Sequence, residues 1–250
     1  MSAYNHDTIV PFPDSGKGKK QQVADMFNRI AFCYDFMNHF LSGGLDHYWR
    51  RQTIKELMDN PVEMVLDVAT GTGDMAILMT KYLQTKKIMG IDISEGMLEL
   101  GRKKIAKSGR SDQVELLKGD SETINFPNGT FEAVTVAFGV RNFEHLEIGL
   151  EEMLRVLKPG GKLAVLEFSR PGQKGFKAIY HLYLKLIGWG IGRWVSKNKE
   201  AYRYLNDSVR AFPEGDDFLR ILEKVGYVNT SKRTLSMGIC TIYCAKKLKG

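Results

Sequence analysis

Asp67, Gly71, Gly73 and Asp74 crowd one short stretch, and Asp92 closes an apolar run roughly 20 residues further on. Glycine lacks a Cβ, so Gly71 and Gly73 let backbone approach a ligand closely and adopt positive φ. A carboxylate at the end of the next apolar run accepts hydrogen bonds from the two hydroxyls of a ribose. A dinucleotide site carries a third glycine for close helix-to-strand packing, and Ala76 stands at that position here. A pyrophosphate would also meet Asp67 and Asp74 beside its backbone cradle, an unfavourable pairing of like charges. A cationic ligand suits the acids better. S-adenosylmethionine, with its sulfonium and amino group, fits them, which points to methyl transfer. The expected cofactor contacts here are Asp67, Gly71, Thr72, Gly73, Asp92 and Ile93. For Asp74, at a helix start, capping is the competing role.

Two further stretches extend the site. Lys118-Gly119-Asp120-Ser121 follows the third apolar run, and Asp120 supplies an acceptor for the adenine amino group, with Ser121 beside it. Ala137-Phe138-Gly139-Val140-Arg141-Asn142 follows the fourth. Open α/β sheets bind ligands at the carboxyl ends of their strands, so Ala137, Arg141 and Asn142 are expected to face the transferred methyl. No CxxC or His–Cys spacing marks a metal, and none is expected. Cys240 and Cys244 on one strand would have Cα atoms about 13 Å apart, beyond disulfide reach.

The elements needed to position these residues follow from periodicity. Short apolar runs at 63–68, 86–92, 113–118, 131–138 and 161–168 read as strands, with helices at 73–83, 94–107 and 146–157 between them. Repeated β–α units imply a parallel sheet with right-handed crossovers. A helix at 214–224 precedes strands near 227–234 and 238–246, too close together for anything but a hairpin. The expected fold is α/β and Rossmann-like: a mostly parallel seven-stranded sheet ending in an antiparallel hairpin. Helices are expected over Val23–Ile30, Asp46–Met58 and 175–195. Residues 1–20, with Pro11, Pro13 and a Gly/Lys run, read as a flexible tail. Residues 21–250 read as one domain, in which 21–60 and 175–195 cover the active site. Hydrophobic residues make up 43% and charged residues 26%, as in soluble globules, and the net charge is +7. No apolar run is long enough to span a bilayer and no signal-peptide core opens the chain, so a cytoplasmic protein is expected.

Arg155-Val156-Leu157-Lys158-Pro159-Gly160-Gly161-Lys162-Leu163-Ala164-Val165-Leu166-Glu167-Phe168-Ser169 resembles the second signature of the menaquinone and ubiquinone C-methyltransferases. Tyr34-Asp35-Phe36-Met37-Asn38-His39-Phe40-Leu41-Ser42, with Trp49 beyond, resembles the first. Phe138–Asn142 and Tyr202–Arg210 also fit, so the resemblance spans roughly residues 23–246. One position departs: the family's first signature has histidine where this chain has Asp46, with His47 following.

The resemblance implies methylation of a ring carbon of a prenylated quinol by S-adenosylmethionine, with Arg141, Asn142 and Tyr34 at the reacting centre. It favours demethylmenaquinol, because bacterial members commonly serve that pathway; a ubiquinone-pathway benzoquinol or another small molecule is the alternative. An isoprenoid substrate brings in the membrane. Phe176, Ile179, Tyr180, Tyr183, Leu184, Ile187, Ile191 and Trp194 repeat at helical spacing among basic residues, which suits either core or peripheral contact at the membrane's inner face. No dense basic–aromatic patch suggests nucleic acid, and the sequence leaves a homodimer open.

Overall fold

The computed structural model describes residues 4–59, 61–170 and 199–249. The chain runs α1 (Lys19–Leu41), α2 (Leu45–Lys55), β1 (Met64–Val68), α3 (Asp74–Tyr82), β2 (Lys87–Asp92), α4 (Glu95–Lys107), β3 (Val114–Lys118), β4 (Phe131–Ala137), α5 (Leu146–Val156) and β5 (Leu157–Phe168). After the undescribed stretch come α6 (Lys199–Ala211), α7 (Asp216–Val225), β6 (Val228–Leu235) and β7 (Cys240–Lys246). The helix expected over 175–195 lies outside the described residues.

The seven strands form one sheet in the order β3-β2-β1-β4-β5-β7-β6. Strands β1 to β5 pair in parallel, whereas β7 runs antiparallel to both β5 and β6, as the hairpin spacing requires. Strand order reverses between β1 and β4, and ligands bind outside the strand ends at such a switch point. Neighbouring residues of β1 face opposite layers. Leu66 and Val68 pack with Leu150, Met153 and Phe218, while Val65 packs with Met75, Met79, Leu98 and Ile54. Helices cover both faces, which explains why the strands are apolar runs instead of alternating patterns.

Two elements differ from expectation. Helix α1 is much longer than 23–30 and carries the whole segment from Lys20 to Tyr34 across the strand ends. Residues 4–18 form two 3-10 turns, Asn5–Thr8 and Pro13–Ser15, laid against the body. Pro13 opens the second turn, where its missing N–H costs nothing. The His6 ring is fully buried against Tyr4 and Phe212. Lys19 is buried too: its Nζ donates to the His6 carbonyl (2.6 Å) and its N–H to Glu144 (2.9 Å). Burial lowers the His6 pKa to about 4 and that of Lys19 to about 8. Among the described residues no helix is long and apolar enough to cross a membrane.

Gly101 lets α4 close against the glycine turn. A Cβ there would lie 2.5 Å from Leu116 Cδ1 and 3.0 Å from the Thr72 carbonyl carbon. Alanine gains about 1 kcal/mol of helix propensity, but overpacking costs about 1–3 kcal/mol. Gly101→Ala is therefore expected to lower the melting temperature by several degrees. An unchanged or raised melting temperature in thermal unfolding would show that the close approach is not needed.

Candidate active site

The carboxyl ends of β1, β2, β3 and β4 open into a cleft, with α1 across its top. Gly71, Asp92, Ile93, Asp120, Ser121 and Ala137 line it, Lys20, Val23, Phe27 and Tyr34 contribute from α1, and Asn142 from the turn after β4. Eight of the twelve residues expected at the site thus share one cavity.

Asp92 is the hinge of this arrangement. Its Oδ2 accepts the Gly71 N–H (2.8 Å) and its Oδ1 accepts the Ser94 N–H (2.8 Å). The last residue of β2 is therefore tied both to the glycine turn and to the start of α4. Burial pushes its carboxyl up to about 6, against the downward pull of these N–H donors. Gly71 sits at φ 58° and Gly73 at φ 79°, and a Cβ on Gly71 would meet no atom within 4 Å. The turn thus presents bare backbone to the cleft. Ala69 and Phe138 also adopt positive φ, 52° and 60°, at the ends of β1 and β4. Such strain in non-glycine residues concentrates at functional sites. Gly139 follows Phe138 and packs close to Ala69: a Cβ there would lie 2.7 Å from that of Ala69 and 2.9 Å from Val136 Cγ1.

Asp67, Thr72, Gly73 and Arg141 do not line the cleft. Asp67 is buried, with its oxygens taken by the hydroxyls of Thr70 (2.6 Å) and Thr135 (2.7 Å), and burial pushes it up to about 6. The Thr72 hydroxyl donates to Asp35 (2.5 Å) and accepts from Lys104 (3.0 Å), which also bridges Asp35 and Asp74. That network fastens α1 and α4 to the glycine turn. Arg141 is turned inward: one terminal nitrogen donates to the Phe138 carbonyl (2.6 Å) and to Glu167 (2.7 Å).

Several participants have no local signal in the sequence. Lys20 bridges Asp120 (2.6 Å) and Glu122 (3.1 Å), closing α1 over the expected adenine end. Asn28, also on α1, accepts from the Ser94 hydroxyl (2.8 Å) and the Gly96 N–H (2.9 Å). His145 is exposed outside the cleft and meets Glu122 at 3.0 Å. Asp46, where the resemblance has histidine, is buried and accepts from the Ser42 hydroxyl (2.9 Å), with the His39 ring nitrogen at 3.0 Å. His39, Asp46 and His47 bring potential metal-binding atoms within 4.8 Å of one another, a grouping that the sequence spacing did not suggest.

The sheet order, the bare glycine turn and an acceptor carboxylate at the end of the second strand define a class I S-adenosylmethionine-dependent methyltransferase. Solved structures share this fold. An S-adenosylmethionine-dependent methyltransferase from Thermotoga maritima superposes with a TM-score of 0.62 at 21% identity, over 90% of this chain and 99% of that one. A Haemonchus contortus phosphoethanolamine N-methyltransferase in complex with S-adenosylmethionine gives 0.66 at 13% identity, over 95% of this chain and 62% of that one. Residues 15–247 match the model of the ubiE/COQ5 methyltransferase family, and the chain belongs to that family. A demethylmenaquinone methyltransferase of Bacteroides fragilis is 43% identical over 244 residues, 98% of this chain and 99% of the relative. A ubiquinone/menaquinone biosynthesis C-methyltransferase of Geobacter sulfurreducens is 44% identical over 230 residues, 92% of this chain and 90% of the relative.

If Asp92 accepts from both ribose hydroxyls in addition to the Gly71 and Ser94 N–H groups, it needs both oxygens free of a proton, and cofactor binding then favours its deprotonated form. With its free-enzyme pKa at about 6, affinity for S-adenosylhomocysteine should hold above pH 7 and fall about tenfold by pH 5. Calorimetry of Asp92→Asn should show weaker binding and a flatter pH dependence, any remaining slope reporting Asp67. A wild-type affinity independent of pH from 5 to 7 would remove Asp92 from the ligand.

Proposed function

We propose that this protein transfers a methyl group from S-adenosylmethionine to a ring carbon of a prenylated quinol, converting demethylmenaquinol to menaquinol. The observation that carries the reading is that Tyr34 and Asn142 line the same cleft as Asp92 and Asp120. The quinol comes from the names of the relatives, three of which, at 43%, 43% and 37% identity, are named demethylmenaquinone methyltransferases.

In this reading Asp92 holds the ribose hydroxyls, Asp120 and Ser121 meet the adenine, and Gly71 and Ala137 let the cofactor lie against backbone. S-adenosylmethionine supplies an electrophilic methyl there. The protein's own task is alignment of the ring carbon and stabilisation of charge on the neighbouring ring oxygen. Tyr34 and Asn142 orient the ring. Arg141, next in sequence to Asn142, supplies the positive charge that favours the phenolate. A guanidinium keeps its proton in proteins, so Arg141 stabilises charge and does not act as the base.

Substrate delivery supports contact with a membrane surface. Phe32 is 81% exposed on α1, and Leu45 and Tyr48 are exposed at the start of α2. Together with a net charge of +7, these residues suit the headgroup region of an anionic bilayer.

Mass spectrometry of quinones from cells lacking the gene names the substrate: demethylmenaquinone should accumulate. An accumulated benzoquinone precursor would reassign the ring, and an unchanged quinone profile would contradict the reading altogether. Arg141→Ala should lower kcat about 10²-fold or more while leaving affinity for S-adenosylhomocysteine nearly unchanged. An Arg141→Ala enzyme of normal kcat would exclude its electrostatic role.

A further inference from the structure

Next to Asn142 lies a group of buried polar side chains drawn from three elements. Arg141 is in the 3-10 turn Val140–Asn142 after β4, Glu167 is the penultimate residue of β5, and Tyr204 is in α6. Their relative exposures are 5%, 0% and 3%. Glu167 Oε1 accepts from Arg141 (2.7 Å) and from the Phe168 N–H (2.8 Å). Arg141 also stacks over the Phe168 ring, 5.5 Å from its centroid. Four buried atoms nevertheless lack a hydrogen-bond partner: Arg141 Nε, Asn142 Oδ1, Glu167 Oε2 and the Tyr204 hydroxyl.

A buried polar atom without a partner costs about 1–3 kcal/mol, and four from neighbouring side chains point to a polar group that they receive. The set is matched: Arg141 Nε and the Tyr204 hydroxyl donate, whereas Asn142 Oδ1 and Glu167 Oε2 accept. A hydroxyl needs both kinds of partner. Of these four residues Asn142 alone lines the cleft, so a ring hydroxyl would reach the group past its side chain.

We propose that Glu167 is the proton acceptor for the ring hydroxyl of the substrate, with Arg141 and Tyr204 holding the oxyanion that results. This rests on the functional reading above. The hydroxyl O–H bond breaks, its electron pair stays on oxygen, and the proton ends on Glu167 Oε2. Arg141 then exchanges one anionic partner, the carboxylate, for another, the phenolate. The net charge of the buried site does not change, so the step avoids the cost of creating an uncompensated buried charge. Once the ring carbon is methylated, its own proton leaves to water and the oxygen takes back the proton held by Glu167. Overall the transfer releases one proton.

The charged and titratable groups facing Glu167 are Arg141 and Tyr204, together with Cys240 and Tyr243 of β7, whose titrations also feel Glu167. Burial pushes the Glu167 carboxyl up, against the downward pull of Arg141. That direction brings a carboxylate closer to the basicity needed to take a phenolic proton at neutral pH.

Glu167→Gln keeps an acceptor for Arg141 but cannot take a proton. In the purified enzyme it should lower kcat at pH 7 about 100-fold or more. Its log kcat should rise with pH, at a slope near one, where the wild type is flat, because hydroxide replaces the missing base. Cofactor affinity should match the wild type, whereas loss of the buried ion pair to Arg141 should lower the melting temperature. Normal kcat in Glu167→Gln, or a loss that is equal at every pH, overturns the proposal. If Arg141→Ala is inactive while Glu167→Gln is not, this inference fails and the functional reading stands. If the wild type methylates no quinol, both fail. Should Glu167→Gln unfold, Glu167→Asp, which keeps the charge but withdraws it by one methylene, must lower kcat in a folded enzyme; unchanged kcat there also overturns the proposal.

Discussion

In the proposed reading, a carboxylate at the end of β2 must be held firmly by protein and still be free to hold a ligand, and the site is arranged around that requirement. Asp92 meets it by accepting backbone N–H groups from two directions, Gly71 of the turn after β1 and Ser94 at the start of α4. Backbone donors fix the carboxylate without any long side chain that would fill the cleft. The same two bonds set the spacing between β1, β2 and the helices that follow them. This is why Gly101 must admit the turn so closely and why Thr72, Asp35 and Lys104 fasten α1 to it. Cofactor binding and packing of the sheet's front edge are one structural problem.

A second constraint operates across the switch point. The sequence places polar residues at the ends of β1, β4 and β5, and burial makes each of them expensive unless paired. Asp67 is satisfied by two threonine hydroxyls from neighbouring chain. Arg141 and Glu167 satisfy each other only in part. That difference separates Asp67, whose oxygens are satisfied, from Glu167, the carboxylate for which a role in proton transfer is proposed. The aromatic stack of Phe138 on Phe168, with centroids 4.4 Å apart, and Trp49 against both of them wall off the ion pair on its apolar side.

Much of this was legible in the sequence, for a physical reason. Strand periodicity, the glycine turn and the acid closing β2 are local features, and local features set the parallel sheet, its hairpin and the cofactor end of the cleft. What was not legible depends on distant partners. Nothing near Asp67 announces Thr135, and nothing near Arg141 announces that Glu167 turns it inward. Lys20 reaches the proposed adenine end because α1 begins at Lys19 instead of Val23, and Tyr34 reaches the cleft because the helix continues to Leu41 instead of stopping near Ile30; its mixed polar and aromatic second half carries no clear helical stripe. The prolines at 11 and 13 read as breakers, whereas burial of His6 and Lys19 orders the segment that contains them.

The central claim is that Asp92 grips the cofactor so that its methyl faces Tyr34 and Asn142. The most direct measurement is a crystal structure of the complex with S-adenosylhomocysteine. The account predicts both ribose hydroxyls within about 3 Å of the Asp92 carboxylate, the adenine beside Asp120, and the sulfur directed toward the Tyr34–Asn142 end. A ligand seated with its ribose away from Asp92, or with its sulfur turned from Asn142, would contradict it.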